Sequence, residues 1–194
     1  MRTLRFTALL VACSLAAACG KGPAEAALKA ADQALEAARP EIEKYVPADV
    51  TALSGAAKAA HDRFDQGDYK AALAAAQELP AKVQAAAAAA TAKKESLTQT
   101  WSALQGSVPG MVEAFKNRVT QLVSMKKLPK GMDATKLGAA KNELDAITQA
   151  WDEASTAFQA GNLSQAVDKA NAVTTRVVAA MESVGLSVNA PARK

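Results

Sequence analysis

The chain is short of the residues that chemistry at a site usually needs. It has one histidine, two cysteines and only 4% aromatic residues in 194. A zinc centre takes three or four His, Cys or carboxylate ligands. His61 has Asp62 and Asp65 beside it in sequence but no second imidazole or nearby thiol. It reads as a surface histidine. There is no Cys-x-x-Cys-His for covalent haem, and Met111, Met125, Met132 and Met181 fit better as flexible core filler than as axial ligands. No Ser/His/Asp arrangement can be built around a single imidazole. Paired carboxylates such as Glu41/Glu43 and Asp152/Glu153 suit solvated helix faces better than a tuned acid and base. Two Trp, two Tyr and four Phe also make a deep aromatic pocket hard to build. These readings exclude any recognisable enzyme or cofactor centre, and the sequence carries no expectation of a metal or cofactor.

Both cysteines, Cys13 and Cys19, lie near the start of the chain. Met1–Arg5 carries two arginines, residues 6–18 form an uncharged, mostly apolar run, and Cys19-Gly20-Lys21-Gly22-Pro23 then turns polar. As a helix that run would span about 20 Å, short of the ~30 Å hydrocarbon core of a bilayer. It reads as a secretion signal. Leu15-Ala16-Ala17-Ala18-Cys19 resembles a bacterial lipobox, in which the cysteine becomes the acylated first residue. Leu10-Val11-Ala12-Cys13 also fits, but cleavage there leaves a very short apolar run and an apolar start to the mature chain. Ala16-Ala17-Ala18 equally satisfies ordinary signal cleavage, which would release a soluble protein with an exposed thiol, a liability in an oxidising compartment. Cys19 is therefore the expected lipidation site. Gly20 rather than Asp after it resembles outer-membrane sorting, with the protein on the periplasmic face. Removing Arg2 and Arg5 from the 23 Lys+Arg leaves 21 against 19 Asp+Glu. That balance of +2 gives no general field for nucleic acid.

What the chain has in abundance is alanine, about a quarter of its residues. Alanine is the least costly residue in a helix, and the apolar positions recur at steps of three and four. Six segments follow. Leu28, Ala31, Leu35, Ala38, Ile42 and Tyr45 form the first, with Pro40 expected to kink or divide it. Val50, Leu53, Ala57, Ala60 and Phe64 form the second. Tyr69, Ala76, Val83, Ala90, Leu97 and Leu104 run seven apart in the third, despite Pro80. Val112, Phe115, Val119 and Leu122 form a short fourth behind Ser107 and Pro109. Leu137, Ala140, Leu144, Ile147, Trp151, Ala154 and Phe158 form the fifth, and Leu163, Ala166, Ala170, Val173, Val177, Met181 and Val184 the sixth, stopping at Gly185. Narrow seams of this kind suit nearly parallel or antiparallel helices. The expected fold is an all-α antiparallel bundle of about six helices.

Two loops look like copies. Phe64-x-x-Gly67-Asp68-Tyr69-x-x-Ala72-Leu73-x-x-Ala76 aligns with Phe158-x-x-Gly161-Asn162-Leu163-x-x-Ala166-Val167-x-x-Ala170 at an offset of 94. Each places a glycine past one helix and a capping residue before the next. The expected organisation is a signal peptide (1–18), a lipidated flexible tether (19–23), two related helical-hairpin halves (24–105 and 107–185) parting near residues 106–109, and a flexible tail (186–194). Phe64 and Phe158 are expected to be equivalent, each buried against the helix that follows it.

Residues 26–94 resemble an uncharacterised family of Ala-rich helical bacterial lipoproteins, a domain of unknown function. The resemblance rests on Ala34-Leu35-x-x-Ala38-Arg39, Tyr45-x-Pro47 and Phe64-x-x-Gly67-Asp68-Tyr69-x-x-Ala72-Leu73. It implies an envelope lipoprotein of antiparallel helices without assigned catalytic residues. The Gly-Asp-Tyr-x-x-Ala-Leu core is also similar to a tetratricopeptide turn, although no 34-residue period accompanies it.

Lys116, Arg118, Lys126, Lys127, Lys130, Lys136 and Lys141 cluster along the fourth helix and the loop after it, with Asp133 the one intervening acid beyond Lys116. Two readings stand for this cluster. One is a patch for anionic lipid headgroups or an acidic partner, for which Lys116, Arg118, Lys126, Lys127 and Lys130 are the candidates. The other is solvation of a short helix and compensation of its C-terminal dipole. Trp101 and Trp151, on apolar seams, read as core anchors rather than a ligand cage. The expected role is structural or adaptor-like, with the membrane and an envelope protein as partners. The alternative is a bundle that holds an apolar or anionic molecule between its halves.

Overall fold

The computed structural model describes residues 20–187. The expected signal peptide, Cys13, Cys19 and the last seven residues of the tail lie outside the described residues. Within them the chain is all-helical, with five helices: α1 (Lys21–Tyr45), α2 (Pro47–Asp65), α3 (Tyr69–Ser124), α4 (Ala134–Gln159) and α5 (Leu163–Ser183).

The count is five rather than six because the expected third and fourth helices are one. α3 runs unbroken for 56 residues through Pro80, Gly106 and Pro109. An internal proline costs a helix about 3 kcal/mol and disfavours the α conformation of the residue before it. Here those residues, Leu79 and Val108, are 2% and 0% exposed. Full burial of a Val or Leu side chain is worth roughly 1.5–3 kcal/mol, and neighbours share the load. The seam is also unbroken: Leu97, Trp101, Leu104, Val108, Met111 and Phe115 alternate steps of four and three across Pro109. Pro40, Pro80 and Pro109 all lie on exposed faces, so no core packing has to accommodate a ring. Pro40 likewise leaves α1 whole.

Pro47 behaves differently. It opens α2 at a position where its missing N–H costs nothing. Val46 before it is pushed out of the helical region, to φ −141°, and α1 ends there. One residue therefore joins α1 to α2.

The described residues fall into two compact units, divided between Ala90 and Thr91. The first is built from α1, α2 and the start of α3. Its core joins Leu28, Ala31, Leu35 and Ile42 of α1, Leu53, Ala57 and Ala60 of α2, and Ala76, Leu79, Val83 and Ala86 of α3. The second is built from the end of α3, α4 and α5. Val108, Phe115, Val119 and Leu122 pack there with Ala140, Ile147, Val173, Val177, Met181 and Val184. Both interiors are apolar: no polar or charged residue is buried among the described residues.

The two looked-for turns match bond for bond. Gly67 and Gly161 adopt φ of 81° and 75°, which glycine reaches without the penalty a Cβ brings. The Gly67 N–H donates to Phe64 O (3.0 Å) and the Asp68 N–H to Arg63 O (3.0 Å); the Gly161 N–H donates to Phe158 O (2.8 Å) and the Asn162 N–H to Ala157 O (2.9 Å). Each pair forms a Schellman motif that satisfies the last carbonyls of its helix. The phenylalanines before these turns differ from expectation. Both are half-buried. Phe64 meets Tyr69 of the following helix edge-on at 5.1 Å, whereas Phe158 stacks on Trp101 of α3 at 4.7 Å. Equal turns do not fix equal neighbours, because what faces a ring is set by the third helix.

Candidate functional site

The residues of the basic cluster do not share one kind of partner. Lys116 pairs with Glu113 at 3.5 Å along its own helix. Arg118 is turned inward: its Nε donates to Val184 O (3.1 Å) at the end of α5, and Nη1 donates to Gln121 Oε1 (2.7 Å). It thus ties α3 to the C-terminus of α5, where the carbonyls of the last turn lack partners and favour a cation. Lys136 reaches back to donate to Gly131 O at 2.6 Å.

Four lysines are left: Lys141, exposed on α4, and Lys126, Lys127 and Lys130, all exposed on the loop between α3 and α4. None of them has an ion-pair partner among the described residues. The loop is not loose. Met125, Leu128 and Met132 pack partly buried against the core of the second unit. Gly131 turns the chain at φ 90°, and Asp133 caps α4 by accepting from the Lys136 N–H at 2.8 Å. Alternation of apolar and basic residues presents the three lysines together. Val123, the exposed large hydrophobic side chain among the described residues at 49%, lies just before them at the end of α3.

The second place of interest is aromatic. Trp101 is 2% exposed. Its ring is nearly parallel to Trp151 at 5.6 Å and to Phe158 at 4.7 Å. Trp151 and Phe158 lie seven residues apart on α4, about 10.5 Å along the helix, which is close to the thickness of such a stack. Trp101 is therefore inserted between them. Both its faces are covered by the protein's own rings, so a planar ligand has no face on which to stack. Its indole Nε1 is buried without an acceptor among the described residues. Sequence spacing marked the two tryptophans as core anchors and missed Phe158 as the third member.

His61 belongs to neither place. Its Nε2 lies 3.0 Å from Asp32 Oδ2 and 3.2 Å from Oδ1, linking α2 to α1. Of its two neighbours in sequence, Asp62 instead pairs with Lys58 at 2.7 Å. No group of three or more His, Cys, Asp or Glu able to hold a metal occurs among the described residues. Two further ion pairs join α4 to α5: Lys169 to Glu153 at 2.7 Å and Arg176 to Glu143 at 2.9 Å. Lys169 holds the Glu153 carboxyl below the usual range by hydrogen bond and charge, and Glu143 raises the Arg176 guanidinium in the same way. These pairs, like His61–Asp32, connect residues at similar distances on either side of a turn, as an antiparallel hairpin requires.

Each unit also carries an open cleft lined by alanine. In the first it runs past Ala52, Ala56, Ala85 and Ala86, with Asp49 and Lys82 beside it; in the second, past Ala139, Ala140, Ala179 and Ala180, with Glu143 and Arg176. Neither brings together the groups that bond rearrangement needs. No helix is long and apolar enough to cross a membrane among the described residues. Comparison of the chain with protein-family models, curated proteins and solved structures finds no match.

Proposed function

We propose that this chain is a lipoprotein of the bacterial envelope, acylated at Cys19 and facing the periplasm from the outer membrane. Its role is that of a non-catalytic adaptor or structural element. Two related antiparallel hairpin units present helix faces and one basic loop to a partner protein. The start of the chain supports the anchor: an arginine-flanked apolar run ends in Ala-Ala-Ala-Cys, and the two or three acyl chains carried by such a cysteine hold a protein firmly where one chain would not.

The observation that carries the adaptor reading, over a ligand-binding bundle, is the covered stack at Trp101. The place where an aromatic-rich ligand site would form is filled by Trp151 and Phe158. Lys126, Lys127 and Lys130 lie exposed together without an ion-pair partner among the described residues. Cys19→Ser should move the protein from the membrane to the soluble fraction, and crosslinking in the native envelope should capture a partner through the α3–α4 loop. Persistent membrane association of Cys19→Ser overturns the anchor. Loss of the crosslinks only when residues far from the loop are changed overturns the assigned surface.

A further inference from the structure

We infer that the anchor has no tether, and that the end of the first unit made by the start of α1 and the α2–α3 turn rests directly on the lipid headgroups. The inference depends on acylation at Cys19 and adds to it which surface of the protein meets the membrane. Residues 20–23 were expected to be a flexible spacer. Instead α1 begins at Lys21, with the Ala24 N–H donating to Gly20 O at 3.0 Å. Ala24 is fully buried and Leu28 is 3% exposed. The helix is therefore packed from its first turn.

Successive Cα atoms are about 3.8 Å apart, so the cysteine bearing the acyl chains lies within one such step of Gly20. Gly20 in turn sits against the first residue of α3: a Cβ built on it would lie 3.5 Å from Tyr69 Cβ. The α2–α3 turn, Gln66 to Asp68, immediately precedes Tyr69. Acyl chains inserted in a bilayer must hold that turn at headgroup level.

The chemistry of this end agrees with such a position. Its exposed charges balance, with Lys21, Arg63 and Lys70 against Glu25, Asp65 and Asp68, so an anionic leaflet does not repel it. Phe64 and Tyr69 are half-exposed and in edge contact, and Tyr69 combines an apolar body with a polar tip, which suits a water–lipid boundary. The flanks of the unit offer no competing contact. A helix that lies in an interface needs an exposed apolar face, and Val123, in the other unit, is the exposed large hydrophobic residue among those described. The α1–α2 junction lies the full 25 residues of α1 away, about 37 Å at 1.5 Å per residue.

The mature chain makes the test clean, because Cys19 is acylated and no other cysteine follows it. Gln66→Cys and Ala48→Cys, both at exposed positions, are labelled with an environment-sensitive fluorophore in the lipidated full-length protein. The protein is placed in phosphatidylethanolamine/phosphatidylglycerol vesicles containing headgroup-labelled quencher lipid. The label at residue 66 should be quenched several-fold more than that at residue 48. A twelve-residue Gly/Ser insertion between Cys19 and Gly20, with a mean span of roughly 19 Å, should abolish that difference and leave vesicle binding intact. Mass spectrometry of each sample reports acylation separately. An acylated protein whose two labels are quenched alike, or whose residue 66 label is unaffected by the insertion, overturns the direct mounting. A protein without the acyl mass overturns the lipoprotein reading itself.

Discussion

Trp101 offers the sharpest test of the packing. Replacing a buried large aromatic by alanine costs about 3–5 kcal/mol, and here both stacking partners lose a neighbour, each such pair being worth roughly 0.5–1.5 kcal/mol. Trp101→Ala should therefore fall at the upper part of that range. Trp101→Phe should behave very differently. A phenyl ring still fits between Trp151 and Phe158 and gives up roughly 40–50 Å² of buried surface relative to indole, or about 1 kcal/mol at ~25 cal/mol/Å². It also removes the Nε1–H group, which is buried without an acceptor. Such a group costs about 1–3 kcal/mol. The two effects oppose, and Trp101→Phe should lie between the native stability and about 2 kcal/mol above it. Urea unfolding followed by far-UV circular dichroism measures both variants, and Trp151, then the sole tryptophan, reports the stack by its fluorescence. If Trp101→Phe is as damaging as Trp101→Ala, the indole N–H has a partner and the reasoning fails. A cost under ~0.5 kcal/mol for Trp101→Ala, typical of a surface change, would refute the sandwich.

Three further outcomes are expected. Arg118→Ala should cost about 1 kcal/mol through loss of its bond to the end of α5, whereas Lys126→Ala and Lys127→Ala should each stay within ~0.5 kcal/mol; the same denaturation assay compares them, and equal costs would return Arg118 to the exposed patch. Gly67→Ala and Gly161→Ala should each destabilise by roughly 1–2 kcal/mol, since both residues sit at positive φ, and neutrality at either would show that its turn is not formed. Lys169→Met should raise the Glu153 carboxyl towards its ordinary value in an NMR titration: a depressed folded pKa means the pair stabilises above the unfolded value and is lost as pH falls through the folded one, so the variant should show less acid-dependent loss in that window, and an unmoved Glu153 would refute the assignment.

Much of the fold can be read from spacing. All seven seam residues named for α5 are buried, and five of the six for α1, with Ala38 half-covered. Glycine turns at Gly67, Gly161 and Gly185 stand where the sequence puts them, because only glycine reaches positive φ at little cost. The error lay in weighing Pro109 by itself. Its local cost is real, but the seam from Leu97 to Phe115 crosses it in register, and that signal was present in the sequence. The partners of the basic cluster were hidden for the opposite reason. Charge density is visible in a sequence, but the Val184 carbonyl that engages Arg118 is 66 residues away, and nothing local announces it.

Composition and period by themselves determined that this chain is helical, which faces are buried, where its helices turn back, and that a short apolar run precedes Cys19. These follow from interactions within a turn or two of helix: alanine's low entropic cost, steps of three and four, and the steric freedom of glycine. Tertiary structure alone decided that Trp101 lies between Trp151 and Phe158, that Arg118 bonds to the end of α5, and that Gly20 sits against Tyr69. Each of these depends on which side chain a third helix places opposite, and such contacts between distant residues leave no period along the chain.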